Sequence, residues 1–408
     1  MYTKNSLIKY KELLLGLALL IFGAVGCGNV SRSIPQGETS EEIQDNQGTD
    51  EGIDTESKEI AECYRGIYEQ AVEAGTIGTL DTAKKIVKCL GDAGYTAVDD
   101  ENQVNMVNSE KVKAFIGDVE ENVDAELTII CVAAAGGFTR FDFRTSEEAI
   151  WVTRSYLSWN GKVPEMNSKE KYRAENWNYS EEGYLFFEKN NMSGYDGASG
   201  YTALRVDQLD ERCRELNRQY LLPIGYGSNN MFITEWNEQD YGELDFYDMF
   251  HILYPLIYRM PTPYEVSYEG ELYYVPQDEF EKVVMSYFKI DSDTLRNKTT
   301  YLEDSKVYEY RTRGFNDWGN SPNIPYPEVV QYEENADGTL TLTVNVVYPV
   351  EKLSCAFSHE VVVCPLPDGG VQYVSNHVIW SADNIQPSWY TDRLTEEERE
   401  EFYGEPVS

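Results

Sequence analysis

Asp337-Gly-Thr-Leu-Thr-Leu-Thr-Val-Asn-Val-Val-Tyr348 is the stretch that decides the fold. Leu340, Leu342, Val344, Val346 and Tyr348 recur at every second position, while Thr339, Thr341, Thr343 and Asn345 fill the alternate ones. Successive side chains of a strand point to opposite faces, so this is a strand with one apolar and one polar side. Asp337-Gly338 in front of it is a tight hairpin signal and joins it to residues 328–332. Residues 358–364 and 371–380 form a second pair about Asp368-Gly369-Gly370.

Upstream of this meander, the segment after Pro276 reads as a helix with Phe280, Val283, Val284, Tyr287 and Phe288 on its buried side. One helix leading into such a meander is similar in element order to the cone-shaped folds of nuclear transport factor 2 and cystatin, which host both enzymes and ligand-binding modules. Further back, residues 61–75 and 80–92 read as helices, the second with Ala83, Ile86, Val87 and Leu90 on one face and Gly94 as its stop. Ser109 is expected to cap a third helix whose stripe is Val112, Phe115, Ile116 and Val119. Strands follow at 126–134, 138–144, 150–159, 171–177 and 184–189, separated by Asn160-Gly161 and Glu182-Gly183. Residues 207–220 read as a helix with Leu209, Cys213 and Leu216 inward. Asp245 opens the apolar helix 246–254, which Pro255 should end or kink. The class is therefore α+β, helices packed on antiparallel meanders. Residues 61–260 form an N-terminal domain and 261–390 a C-terminal one, divided at the proline cluster Pro255, Pro261, Pro263, with 391–408 an acidic tail.

The start of the chain says where it works. Lys4, Lys9 and Lys11 lead into an apolar run from Leu13 to Gly26 that stops at Cys27, an export signal too short to span a bilayer comfortably. Ala24-Val25-Gly26-Cys27 resembles the lipobox of bacterial lipoproteins, with Ala24 where Leu is usual. That resemblance implies that residues 1–26 are removed, that Cys27 is the lipid attachment residue, acylated with chains such as palmitate, and that the protein sits at the cell membrane on its extracytoplasmic face. Two acyl chains hold a protein there almost permanently, at about 0.8 kcal/mol per buried methylene. Residues 28–60 carry nine Asp or Glu against Arg32 and Lys58 and no aromatic residue, so 27–60 is expected to be a disordered acidic tether.

The chain is 408 residues long with a formal charge of −37. A polyanion of this size is repelled by phosphate backbones, which excludes nucleic acid as a partner. Cys63, Cys89, Cys131, Cys213, Cys355 and Cys364 remain besides Cys27. Most are expected as buried free thiols, with Cys63 and Cys89, on adjacent helices, the pair best placed to bridge.

Catalytic residues are not identified. His251, His359 and His377 are the three histidines. Gly197-Ala-Ser199-Gly200 has the wrong spacing for a nucleophile elbow. His359-Glu360 opens like a zinc helix, but Val363 stands where the second histidine belongs, and the surroundings read as strand. His377 reads as a half-buried strand residue, and Asp291-Ser-Asp293 lacks the rest of a calcium loop. No cofactor or metal is expected. The chemical excess is in tyrosine, 31 residues alongside seven tryptophans, and such rings stack on sugars and at protein interfaces.

From about Ala61 to Asn376 the chain is similar to a family of uncharacterised lipoproteins of Gram-positive gut bacteria. Leu209-Asp-Glu-Arg-Cys-Arg-Glu-Leu-Asn-Arg218, Gly242-Glu-Leu-Asp-Phe-Tyr-Asp248, Pro325-Tyr-Pro-Glu-Val329, Asp337-Gly-Thr-Leu-Thr-Leu342 and Tyr373-Val-Ser-Asn376 carry the likeness. It implies a surface lipoprotein and assigns no activity. The expectation is a membrane-anchored, non-catalytic binding or interaction module with a protein or glycan partner and a tyrosine-lined face. The competing readings are a structural component of an envelope or transfer assembly, with a broad apolar patch, and a cell-wall glycan or peptide hydrolase, with two opposed carboxylates in a cleft.

Overall fold

The computed structural model describes residues 47–146, 149–191, 200–318 and 323–404. The leader, Cys27 and residues 197–199 of the Gly197-Ala-Ser199-Gly200 stretch lie outside the described residues. The protein is α+β and divides into two compact units, Met1–Gln208 and Leu209–Ser408.

Unit 1 is built on a seven-stranded sheet in the order β1 to β7: β1 Thr96–Asp99, β2 Glu126–Val132, β3 Phe138–Ser146, β4 Ala149–Asn160, β5 Val163–Tyr179, β6 Tyr184–Lys189 and β7 Tyr201–Arg205. The pairings are antiparallel apart from β1 with β2, a parallel edge that alternation did not reveal because all four residues of β1 are buried. Two helices, α1 Gln47–Ala74 and α2 Leu80–Asp92, form one core with Ile130, Val132, Phe138 and Leu157 of the sheet. The other core holds the helix α3 Glu110–Glu120 with Leu127, Ile129, Phe141, Phe143 and Val152. Ser109 stands at the start of α3 but makes no side-chain capping bond.

The expected tether is corrected from residue 47 onward; its residues 27–46 lie outside the described residues. Helix α1 begins at Gln47, and Ser57 and Ile60 are fully buried. Glu56 pairs with the buried Arg140 at 2.8 Å, and Asp142 closes on the same Nη2 at the same distance. The charge of 47–60 is therefore one face of an amphipathic helix rather than a sign of disorder. A chain starting at Ala61 should melt well below one starting at Gln47. It loses the burial of Ile60, about 2 kcal/mol, and half the countercharge of Arg140. That amounts to roughly 4 °C or more for a unit of this size, and coincident melting curves would contradict the helix packing.

Unit 2 holds the meander β12 Tyr326–Glu334, β13 Leu340–Val347, β14 Ser358–Pro365 and β15 Val371–Ile379, extended at its edge by β8 Trp236–Asn237. The register places Leu342 opposite Tyr332 and Val361, and Gly338 turns the hairpin with φ +87°. Leu340, Leu342, Val344, Val346 and Tyr348 are buried as alternation requires. A smaller sheet, β10 Tyr301–Leu302, β11 Val307–Arg311 and β9 Leu272–Pro276, lies beside helices α5 Phe246–Tyr258, α6 Gln277–Tyr287 and α7 Ser292–Asn297. The segment expected as one helix at 207–220 is α4 Glu211–Leu216, capped by Asp210, followed by a π-turn at Asn217–Leu221.

The expected domain boundary at 260/261 falls at 208/209 instead. Helix α5 carries Phe246, Met249, Phe250 and Leu253, and they join the same core as Phe280, Tyr308 and Leu342. The prolines after it therefore form a loop within the unit. Pro255 does not end α5, which runs on to Tyr258 and stops at Arg259 in the left-handed conformation. The acidic tail is also corrected. Trp389, Arg399 and the capping-box helix α8 Glu396–Tyr403 are folded onto the unit, with Trp389 and Arg399 buried. Among the described residues no helix is long and apolar enough to cross a membrane.

Candidate functional site

The core of unit 2 contains an ion network that begins with one anomalous residue. Helix α5 is apolar almost all round, yet Asp248 is buried in its first turn. A carboxylate in such a place must be paired. Arg313, just past β11, donates from Nε to Asp248 Oδ1 at 2.8 Å and from Nη2 to Oδ2 at 2.6 Å. Arg393, from the C-terminal segment, donates to Asp248 Oδ1 and to Asp245 Oδ2, the latter at 3.0 Å. Burial and the neighbouring Asp245 charge push the Asp248 carboxyl up to about 6 against the pull of both guanidiniums, so it is an anion at neutral pH.

A second carboxylate continues the network outward. Asp317 is fully buried and accepts from Gly314 N at 2.6 Å, Leu394 N at 3.2 Å and Arg399 Nη2 at 3.1 Å. Arg399 also donates to the carbonyl of Glu269. These bonds draw together three segments that are distant in sequence: the 267–271 turn, the 312–318 loop and α8. The packing leaves no room for side chains at two glycines. A Cβ on Gly270, which also has φ +77°, would lie 2.4 Å from Thr312 O, and one on Gly314 would lie 2.7 Å from Tyr403 Oη.

This floor supports an aromatic face. Tyr268 is 66% exposed and Phe315 53% exposed, and their rings stack at 5.3 Å and 17°. Tyr403 stands edge-on to Tyr268 at 5.9 Å, and its hydroxyl accepts from Asn316 N at 2.9 Å. Phe315 N donates to Tyr268 O at 2.7 Å, which fixes the two ring-bearing loops to each other. Phe402 on α8 and Tyr274 on β9 are also exposed. Burying large rings normally stabilises a protein by a few kcal/mol each, so two stacked rings left more than half exposed stand out on the surface of this unit.

The histidines are used otherwise. His359 is fully buried on β14 between Tyr226 and Asn376, each at 2.7 Å. Asn376 Nδ2 donates to Thr234 O, so its Oδ1 faces Nδ1 of the imidazole. An amide oxygen only accepts. Nδ1 therefore carries the hydrogen, and Nε2 accepts from the Tyr226 hydroxyl. Burial pulls this imidazole down to about 4 against the Asn376 bond. His251 Nδ1 lies 3.0 Å from Tyr310 Oη, and burial with the charges of Arg393 and Arg313 lowers its pKa. His377, expected to be half-buried, is exposed on β15 and pairs with Glu235 at 2.9 Å. Among the described residues no ring nitrogen of these three meets a Ser, Thr or Cys side chain in a hydrogen bond, and no cluster of His, Cys, Asp and Glu could hold a metal ion. Asp291 caps α7 by accepting from Thr294 N.

His359 makes stability depend on pH with a definite sign. Its folded pKa lies below the unfolded 6.5, so the unfolded chain binds the extra proton between the two values. Its contribution is complete above about 6.5 and is lost as pH falls toward 4. Asp248, raised to about 6, works in the opposite direction over part of that window. Comparison with His359→Phe isolates the histidine. The stability gap between the two proteins in denaturant melts should shrink by roughly 2 kcal/mol from pH 7 to pH 4.5. A pH-independent gap would mean that the imidazole is not held neutral.

The six cysteines among the described residues are free thiols. Cys131 and Cys213 are buried, Cys89, Cys355 and Cys364 partly so, and Cys63 is exposed. The expected Cys63–Cys89 pair is adjacent but unbridged: Cys89 Sγ donates to the Cys63 carbonyl at 3.3 Å while Cys63 Sγ bonds Glu59 O. Unit 1 has an open groove of about 360 Å³ bordered by Tyr95, Lys111, Phe115 and Glu126, where the Lys111 ammonium is closed onto Gly94 O at 2.6 Å.

Sequence reading found the excess of tyrosine but not which rings would be exposed together, and it missed the ion network. The available signals were Asp248 inside an apolar helix and the two arginines, Arg393 and Arg399, within the acidic C-terminal stretch. A protein-family model described as a family of unknown function (DUF6070) matches residues 50–393. No curated protein and no solved structure matches the chain.

Proposed function

The chain belongs to that family of unknown function, and we propose that it is a lipid-anchored extracytoplasmic binding protein whose ligand meets the aromatic face of unit 2. The observation that carries the reading is the stacked, half-exposed pair Tyr268 and Phe315, mounted through Gly270, Gly314 and Arg399 on a buried ion network. A rigid exposed ring binds at low entropic cost, because its two side-chain torsions are already fixed. The lipobox and the basic, apolar leader support the anchor, with Cys27 as the acylated residue. On this reading Cys27→Ser stays unprocessed and its detergent partitioning changes, because serine offers no thiol for lipid transfer. A serine variant that matures and partitions like the parent contradicts it.

The binding role is tested with the chain from Gly28 onward, which lacks the anchor. It should co-sediment with envelopes of the producing cells, and Tyr268→Ala combined with Phe315→Ala should cut retention about tenfold or more, as loss of central interface aromatics does. Retention unchanged by that pair contradicts the assignment of the face. A structural role in an envelope assembly is the second reading, favoured by the same apolar exposure. It predicts a stoichiometric partner that survives purification rather than a reversible ligand.

A further inference from the structure

The aromatic face is bordered by carboxylates. Glu265, Glu269 and Glu271 are exposed along the loop that carries Tyr268, and Glu396, Glu397, Glu398, Glu400 and Glu401 are exposed on α8 beside Phe402 and Tyr403. Of the basic groups around these segments Arg399 and Arg393 are turned inward, while Arg311, which bonds the Gly270 carbonyl, is partly exposed and pairs with Glu396 at 3.4 Å. Arg399 is 6% exposed and bound to Asp317, and Arg393 is bound to Asp245 and Asp248. The exposed charged side chains along these two segments are therefore mostly carboxylates, while the stacked rings themselves are apolar.

Resting on the proposed binding role, we infer that this face docks a cationic peptide segment of a partner protein, with arginine or lysine side chains laid on Tyr268 and Phe315 and paired with the surrounding glutamates. Three observations converge on that chemistry. A flat aromatic surface attracts a cation through its ring electrons, and more so when carboxylates stand nearby. Unit 2 already binds its own arginines this way: Arg313 lies 5.3 Å over the Tyr390 ring, Arg393 5.5 Å over Tyr247, and both are clamped by Asp248. The whole chain carries −37, which repels anionic partners and speeds the approach of cationic ones. A neutral sugar could also stack on the rings, but it would draw nothing from the ring of carboxylates beyond hydrogen bonds.

The test uses the full chain and a fluorescein-labelled octapeptide of alternating arginine and glycine, read by fluorescence anisotropy. Its citrulline counterpart has nearly the same shape without the charge, and an N-acetylglucosamine oligomer represents a neutral glycan. The arginine peptide should bind. Phe315→Ala and Tyr268→Ala should each weaken it about fivefold at unchanged net charge, and Phe315→Tyr should restore binding. Glu265→Gln, Glu269→Gln and Glu400→Gln together should weaken it about tenfold. The same charge change made in unit 1, at Glu120, Glu121 and Glu181, should alter it by no more than about twofold. Melting curves of Phe315→Ala and Tyr268→Ala guard against unfolding, and Phe315→Leu provides a second variant if the alanine is unstable. Equal loss from the two glutamate sets would show diffuse attraction and overturn the site. The citrulline peptide or the sugar binding as tightly would overturn the cationic partner while leaving the aromatic face as the binding surface. No binding up to ~1 mM of the arginine peptide would overturn the inference outright.

Discussion

Asp248→Ala should destabilise unit 2 by about 3–5 kcal/mol, because it leaves two buried guanidiniums, Arg313 and Arg393, without their shared acceptor. Burial already pushes that carboxyl up to about 6, so the loss lies in the bonds to both arginines rather than in the charge of Asp248 alone. Arg313 keeps its bonds to the carbonyls of Asp317 and Thr391, and Arg393 keeps Asp245, but neither replaces a bidentate carboxylate. The damage should spread along the network. With Arg313 loosened, the 312–318 loop and the C-terminal segment lose the floor that sets Tyr268, Phe315 and Tyr403, so binding at the face should fall with stability. Asp92→Asn removes an exposed partner of Lys88 on α2 and should change the melt by no more than its error. If the two substitutions cost the same, the buried network does not hold the unit together.

Leu342→Ala should cost about 2–5 kcal/mol, and Thr341→Ala well under 1 kcal/mol. The two residues are neighbours on β13, but Leu342 is fully buried against the core, while Thr341 faces the other way and accepts from Asn335 Nδ2 at 3.0 Å. Denaturant melts of both single variants decide it. Equal costs would mean that the register seen across β12, β13 and β14 is wrong.

How much of this was legible in the sequence follows from the range of the interactions involved. Strand β13 and its hairpin were readable because alternation and a turn glycine act within ten residues. Helices α2, α3 and α6 announced themselves by their apolar stripes. What failed needed contacts distant in sequence. The acidic stretch through Ile60 was expected to be disordered, but Arg140, more than eighty residues later, meets Glu56 and Ser57. The tail after Trp389 looked like a charged end until Arg393 and Arg399 found Asp245, Asp248 and Asp317. The proline cluster after Tyr258 looked like a linker, although α5 packs forward into the later core. In each case a local excess of charge or of breakers was answered by one specific partner elsewhere. The aromatic face belongs with these: Tyr268, Phe315 and Tyr403 lie far apart in the chain, and bonds between distant segments, those of Arg399 and Asp317 among them, bring them together.

Hydroxyl-radical footprinting of the protein on its native envelope, set against the purified protein, tests most directly whether this face is the contact surface. Trp380, 85% exposed just past the end of β15, serves as the internal reference. Oxidation of Tyr268, Phe315 and Phe402 should drop several-fold on the envelope while Trp380 reacts as before. Undiminished oxidation of Tyr268 and Phe315, or protection confined to other surfaces, would contradict the aromatic face as the place where this protein meets its ligand.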